Sequence, residues 1–250
     1  MRVDVLALQR FYASPLGQAA QRAAARRLAA LWPHADGLDV LGVGYPAPYL
    51  DRYRSGARRA VAMMPAEQGA EPWPADEGPV LTALSEDTRL PFMDAVFDRV
   101  LMVHALEECP APSPMLREIW RVMAPEGRLV VIAVNRWSLW AQADATPFGH
   151  GRPYSRTQLG GLLSESMFEP VVSARCLYAP PSTWPPSVRA ADAFESVGAR
   201  LWPAQGGLVL MEAVKRLYAT TARSEGRVLL AKRAARTTQE PTERLPKRDA

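Results

Sequence analysis

Short, uninterrupted apolar runs alternate along the chain with segments whose apolar residues recur at helical spacing. The runs lack the polar–apolar alternation of half-exposed strands, which is typical of parallel strands covered on both faces. This alternation predicts an α/β fold, a doubly wound, mostly parallel, seven-stranded sheet with helices on both faces and right-handed crossovers. The predicted strands are 38–43, 59–64, 80–84, 98–104, 129–134, 171–177 and 206–217.

Two Ser-Pro pairs are predicted to open helices, since a serine side chain accepts from free amide groups and a following proline has helical φ. Ser14-Pro15 begins a helix that ends near Pro33, and Ser113-Pro114 begins the helix before the fifth strand. Further helices are predicted over 4–12, 49–54, 157–166 and 188–202.

Charge divides the chain of 250 residues unevenly, although its net value is only +4. The tail 219–250 carries eight Lys/Arg against four Asp/Glu, which leaves 22 of each sign in 1–218. We expect a helical cap over 1–37, an α/β domain over 38–218 and a basic, disordered tail over 219–250. The neutral body argues against a nucleic-acid partner.

Targeting and redox signals are sparse. No run of about 18 apolar residues predicts a membrane span, and the N-terminus lacks a secretory pattern. Cys109 and Cys176 are too few for a disulfide framework and lack metal-ligand spacing. These features predict a cytoplasmic protein without a metal site or a membrane partner.

The first predicted strand ends in a glycine turn. Its apolar run closes with Gly42-Val43-Gly44 and breaks at Tyr45-Pro46-Ala47-Pro48. A buried strand that enters a glycine turn at the start of a helix is typical of a nucleotide-binding βα unit.

Downstream segments complete a family pattern. They are Leu90-Pro-Phe-Met-Asp-Ala-Val-Phe-Asp98 and the stretch 116–132, which contains Arg121-Val-Met-Ala-Pro-Glu-Gly127. With the glycine turn, they resemble class I S-adenosylmethionine (SAM)-dependent methyltransferases over about 38–217. The resemblance implies a Rossmann-like fold and methyl transfer from SAM to a small-molecule or protein acceptor. The cofactor contacts that it implies are Gly42, Gly44, Tyr45, Met64, Glu86, Asp87 and Val103.

The sequence departs from the family at two anchors. The family's first motif is an acid followed by three alternate glycines. The best register puts Gly42 at the acid and Pro46 and Pro48 at later glycines, while a register shifted by two puts Val40 at the acid. Proline fixes φ, adds bulk and removes a donor. The second strand ends in Met63-Met64-Pro65, without the ribose-binding acid.

Two functions follow from this conflict. Because each charge-assisted hydrogen bond is worth roughly 1.5–3 kcal/mol, two lost anchors weaken binding by about 10²–10⁴-fold. The chain is therefore either a SAM-dependent methyltransferase with a remodelled pocket or a catalytically silent member that acts as a binding or regulatory subunit. A protein partner would use the apolar, Pro-rich region 179–203 or the vestigial pocket.

Two histidines are the candidate catalytic groups. His104, close to Glu107, ends the fourth predicted strand, where ligands bind in open α/β sheets. His150 lies in a loop that also supplies Arg152 and Tyr154. Either histidine can act as a base for an acceptor that carries a proton, or simply pack and cap the sheet edge.

Aromatic residues are the remaining candidates. Tyr12 is expected, from the architecture of the family alone, to close over the cofactor. Trp137, Trp140 and Phe148 form an apolar acceptor pocket or a cover for the sheet.

Overall fold

The computed structural model describes residues 2–75 and 78–217. Met1–Arg216 form one compact unit, and the predicted tail 219–250 lies outside the described residues. Within the described ranges, no helix has the length and apolarity that a membrane crossing requires.

A seven-stranded sheet forms the centre of the fold, with the order β3-β2-β1-β4-β5-β7-β6. Neighbouring strands from β3 to β5 run parallel, and β7 runs antiparallel to both β5 and β6. The prediction of a mostly parallel, seven-stranded sheet is confirmed. The strands are β1 Asp39–Gly44, β2 Arg59–Pro65, β3 Thr82–Ser85, β4 Phe97–Val103, β5 Met123–Val134, β6 Phe168–Cys176 and β7 Leu208–Lys215.

Seven α-helices connect and cover the described strands. They are α1 Val5–Ala13, α2 Pro15–Leu31, α3 Ala47–Arg54, α4 Pro112–Val122, α5 Arg156–Glu165, α6 Pro185–Arg189 and α7 Ala191–Leu201. Single 3-10 turns occupy Leu139–Gln142 and Pro147–Gly149.

The helix starts test the Ser-Pro predictions. Ser14 caps α2 as predicted, because its hydroxyl accepts from the Gly17 amide at 3.1 Å. The prediction for Ser113 was wrong, since α4 starts at Pro112 and has no side-chain cap. Pro112 supplies the preset φ of a first helical turn, so Ser113 lies inside that turn.

One predicted helix is divided. The segment 188–202 forms parts of α6 and α7, which are separated at Ala190. The α6 helix already begins at Pro185, where a proline is tolerated in the first turn. The predicted boundary therefore started too late and missed the break.

The sheet is buried on both faces. One core cluster joins α1, α2 and α3 to one face, and includes Leu28, Val40 and Leu101. The other joins α4 and α5 to the opposite face, and includes Leu41 and Leu116. Successive residues of β1 therefore enter different cores, which explains the continuous apolar runs in the sequence.

A buried acid joins the end of α2 to β7. Glu212 is only 3% exposed. Its Oε1 accepts from Trp32 Nε1 and from Arg128 Nη1, each at 3.1 Å. Removing this carboxylate leaves the buried indole N–H of Trp32 without its acceptor, while the half-exposed Arg128 can turn to water.

We therefore predict that Glu212→Ala lowers the free energy of unfolding by roughly 2–3 kcal/mol, because hydrogen bonds to charged groups are lost from a buried site. The control is Glu126→Ala, which removes an exposed pair with Arg216 and should cost less than about 1 kcal/mol. Urea denaturation followed by circular dichroism measures both. Equal losses for the two variants would contradict the buried link.

Candidate functional site

The candidate site lies where the strand order reverses, outside the carboxyl ends of β1 and β4. Ligands of open α/β sheets bind at such a point. Gly44 and Tyr45 reach it from β1, and His104 reaches it from β4. The Tyr45 amide donates to the Val103 carbonyl at 2.8 Å and ties the two strand ends together. We call the space outside these ends the crevice.

The turn after β1 is packed by its own proline. A Cβ on Gly42 would lie 2.4 Å from Pro46 Cβ, so the proline ring uses the space that glycine leaves. Gly44 has φ +90°, and a Cβ there would lie 2.1 Å from the Val103 carbonyl oxygen. Both glycines are therefore required by contacts within the chain, whether or not a ligand binds.

Gln68 closes the crevice on the β2 side. Its Nε2 donates to the Gly44 carbonyl at 3.0 Å, and its own carbonyl accepts from the Val5 amide at 2.9 Å. The side chain is buried, and its Oε1 has no hydrogen-bond partner among the described residues. Gln68 thus joins the glycine turn to the start of α1.

The N-terminal residues cover the end of the crevice next to β3. The Arg2 guanidinium is ion-paired with Asp87, and the Arg2 side chain is only 1% exposed. The Val3 amide donates to Glu108 Oε2 at 2.8 Å. Asp87 is therefore held by a cation of the chain itself, while the neighbouring Glu86 is exposed.

Aromatic side chains fill the middle of the crevice. The hydroxyl of Tyr12 lies 2.9 Å from His104 Nε2 and 3.4 Å from the hydroxyl of Tyr49. The Tyr12 ring stacks on Tyr45 with centroids 5.5 Å apart, and Phe148 stacks on His104 at 5.0 Å. Burial raises the pKa of Tyr12 and of Tyr49, so both hydroxyls stay protonated.

His104 is buried within this group. It follows β4 directly and has φ +50°, a left-handed conformation that histidine tolerates better than most residues. Burial lowers its pKa from 6.5 to about 4, so the imidazole is neutral at pH 7. The ring is enclosed by Tyr12 and Phe148, where a hydrogen-bonding and packing role accounts for its contacts.

The structure brings the two predicted histidines to one small space. His104 and His150 both line a cavity of about 10 Å³, together with Glu107 and Glu108. Glu107 Oε1 accepts from the Val134 amide at 2.8 Å, and its buried Oε2 has no partner among the described residues. Burial raises the pKa of Glu107 to about 7. The cavity has room for about one water molecule.

The loop of His150 is fastened to the ends of β4 and β5. The Arg152 amide donates to the Glu107 carbonyl at 2.7 Å, and the Tyr154 amide donates to the Val134 carbonyl at 2.9 Å. These backbone contacts give the loop a structural role, while the Arg152 side chain is exposed.

Two acids near the family's anchor positions, Asp39 and Glu67, lie outside the crevice. Met64 is fully buried in β2 and Glu67 is exposed beyond the strand. Asp39 lies at the opposite end of β1, where its Oδ2 accepts from Arg58 at 2.6 Å. Neither β1 nor β2 therefore ends in a carboxylate. The acid that approaches Tyr45 is Glu71 of the loop after β2, and it also accepts from Gln9 of α1.

Trp137, Trp140 and Phe148, which were predicted to act together, do not form one cluster. Trp140 and Phe148 are buried and meet edge to face at 5.3 Å, so they cover the sheet. Trp137 is 71% exposed.

Sequence reasoning missed Arg2, Gln68 and Tyr49 as crevice residues. No local pattern marks them, because each acts through a contact far along the chain. The sequence alone therefore could not assign them to the crevice.

Comparison with known proteins supports the family. Residues 38–131 match the family model described as a methyltransferase domain. Uncharacterised proteins of Mycobacterium tuberculosis and Mycobacterium bovis are 33% identical over 110 residues, which are 41% of this chain. The match covers only 38% of the length of those relatives.

Solved structures share the architecture at low sequence identity. A SAM-dependent methyltransferase of Thermotoga maritima, described as a possible histamine N-methyltransferase, has a TM-score of 0.61 and 18% identity, and the match covers 83% of this chain and 94% of that one. The [4+2]-cyclase SpnF has a TM-score of 0.55 and 20% identity, with coverage of 80% and 82%. A Burkholderia thailandensis 1,6-didemethyltoxoflavin-N1-methyltransferase, solved with S-adenosylhomocysteine, has a TM-score of 0.51 and 20% identity, with coverage of 79% and 78%.

Residues 38–131 therefore match the methyltransferase domain family, and the fold is that of its SAM-dependent members. The family implies SAM as cofactor, and the crevice does not fit it. Cofactor pockets commonly enclose about 300–1,000 Å³, whereas the cavity beside His104 has about 10 Å³. A depression of about 410 Å³ adjoins it at His150 and Phe11, but neither His104 nor the glycine turn lines that depression. Of the carboxylates that the family uses, Asp87 occupies an expected position, and Arg2 neutralises it.

Two buried groups give the methyltransferase domain opposing pH dependences. The folded-state pKa of Glu107 lies above its ordinary value of 4.5, so its contribution to stability falls as the pH rises from 4.5 to about 7. The folded-state pKa of His104 lies below 6.5, so its contribution is lost as the pH falls from 6.5 to about 4. The two effects oppose each other between these limits.

We therefore predict that Glu107→Gln, which keeps the acceptor for the Val134 amide, removes only the first effect. The stability of the wild type relative to this variant should fall by roughly 3 kcal/mol between pH 4.5 and 7, since a pKa unit corresponds to about 1.4 kcal/mol. Denaturant titrations across this range measure the difference. A difference that is independent of pH would contradict a buried, protonated Glu107.

Proposed function

We propose that this protein is a catalytically silent member of the methyltransferase family that acts as a binding or regulatory subunit. One observation carries the proposal: the side chain of Tyr12, bonded to His104 and stacked on Tyr45, occupies the position at the ends of β1 and β4 where the fold binds its ligand. The Arg2–Asp87 pair supports it at the adjoining end.

The energy needed to empty the crevice explains why a cofactor would not simply displace these side chains. A buried tyrosine covers about 150–250 Å², which at about 25 cal/mol per Å² corresponds to roughly 4–6 kcal/mol. Since 1.4 kcal/mol is tenfold in affinity, expelling Tyr12 alone weakens binding by about 10³-fold or more. A micromolar ligand would become a millimolar one before the missing acids are considered.

Methyl transfer to a small-molecule or protein acceptor is the competing function. The family match over 38–131 favours it. It requires Tyr12 and Arg2 to leave the crevice together, so that α1 opens before the cofactor enters. It also requires another group to replace the carboxylates absent at Gly42 and Met64.

Isothermal titration calorimetry with S-adenosylhomocysteine separates these functions. We predict no binding to the full-length wild type up to about 1 mM ligand, because the crevice is filled. The Burkholderia thailandensis methyltransferase, which was solved with this ligand, serves as the positive control. A dissociation constant in the micromolar range for the wild type would overturn the proposal.

A paired variant sharpens the test. Arg2→Ala with Tyr12→Ala removes the filling side chains, while Arg10→Ala changes an exposed residue of the same helix. Because the acids at the ends of β1 and β2 remain absent, we expect neither variant to bind S-adenosylhomocysteine in the micromolar range.

A further inference from the structure

Two adjoining depressions flank Trp137, and neither shares a lining residue with the cavity beside His104. The first, which we call the aromatic groove, has a volume of about 340 Å³. The second, which we call the arginine cleft, has a volume of about 520 Å³. The groove is lined chiefly by Trp137, Leu139, Leu177, Tyr178, Phe194 and Trp202, and the cleft by Trp137, Arg156, Arg175 and strand residues 170–173.

The aromatic groove gathers bulky apolar side chains that remain in solvent. Trp137 is 71% exposed, Leu139 is 66% exposed and Trp202 is 51% exposed. Scattered apolar residues are ordinary on a protein surface, but several around one depression mark an interaction site. Aromatic residues are enriched at the centres of protein interfaces, where they supply most of the binding energy. The groove therefore fits large apolar side chains of a partner.

The arginine cleft adds charge to this surface. Arg156 is the first residue of α5 and is exposed, and Arg175 lies on β6. Among the residues that the structure describes, no carboxylate forms an ion pair with either arginine. Arginine binds carboxylates through paired donors, so the cleft favours an acidic partner.

The adjoining strand is open to a further chain. β6 is the last strand of the sheet, and within the described residues it pairs with β7 alone. Val171 and Val172 of this strand line the cleft and are exposed. An open strand edge offers backbone donors and acceptors to an added segment.

We propose that the aromatic groove and the arginine cleft together form a docking surface for an acidic segment of another protein that carries bulky apolar side chains. The inference deepens the proposed function and rests on it, because it names the surface and the partner chemistry of a binding subunit. The chain's own tail 219–250 has the wrong charge, with eight Lys/Arg against four Asp/Glu. A nucleic acid could bind the arginines of the cleft, but its phosphates would make no favourable contact with Leu139, Leu177 and Phe194 of the groove.

A random peptide library displayed on phage, with inserts of about 16 residues, provides the probe. It is selected on the full-length wild type after depletion on a Trp137→Ala/Arg156→Glu variant. We expect the enriched peptides to combine Asp or Glu with Trp, Phe or Leu. A synthetic representative of these peptides is then measured by fluorescence anisotropy. It should bind at least about tenfold more weakly to the single variants Trp137→Ala and Arg156→Glu than to the wild type, as expected when an interface anchor is removed.

The controls are Leu84→Ala and Arg89→Glu, which change exposed residues in or beside β3, at the opposite edge of the sheet. They should leave the affinity within about twofold of the wild type. All four single substitutions affect exposed side chains, so circular dichroism should show intact folding.

Four results would overturn the inference. The first is enrichment of neutral or basic peptides. The second is a peptide affinity that neither Trp137→Ala nor Arg156→Glu changes. The third is a wild-type dimer in light scattering that Trp137→Ala dissociates, which would assign the surface to a second copy. The fourth is oligouridine binding that Arg156→Glu abolishes in the absence of peptide binding. S-adenosylhomocysteine plays no part in the selection, so its titration decides the proposed function separately.

Discussion

The contact between Tyr12 and His104 is the interaction on which the rest of the site depends. It joins α1 to the end of β4 across 92 positions of sequence, inside a group of buried aromatic rings. Neither residue is charged at neutral pH, since burial raises the pKa of the phenol and lowers that of the imidazole. A neutral hydrogen bond in a dry environment is costly to leave unmade, so each partner holds the other in place.

The residues around this contact hold the glycine turn in place without a ligand. Pro46 packs against Gly42, and Gln68 bonds to the carbonyl of Gly44. Contacts within the chain are therefore sufficient to explain why positions 42 and 44 are glycines. Aromatic side chains already provide the packing contacts at the ends of β1 and β4. The sheet can keep its family architecture while its usual ligand position becomes part of the core.

Much of the architecture was predictable from the sequence because it depends on local patterns. Continuous apolar runs follow from strands such as β1, whose successive residues enter opposite cores. The conflict at Pro46 and Pro48 and the missing acid after Met64 were visible for the same reason. The filling of the crevice was not, because Arg2, Tyr12 and Gln68 reach it through contacts between distant segments. The predicted start of α4 at Ser113-Pro114 was also wrong, because Pro112, directly before this pair, has the preset φ of a first helical turn.

The proposed loss of cofactor binding therefore depends on whether α1 stays closed over the crevice. Hydrogen exchange of the Val5 and Tyr45 amides, which donate to Gln68 and Val103, measures this directly in the full-length protein. The account predicts slow exchange at both amides, at rates that millimolar S-adenosylhomocysteine leaves unchanged. Fast exchange at Val5, or new protection of Tyr45 when the ligand is added, would contradict a crevice filled by the chain itself.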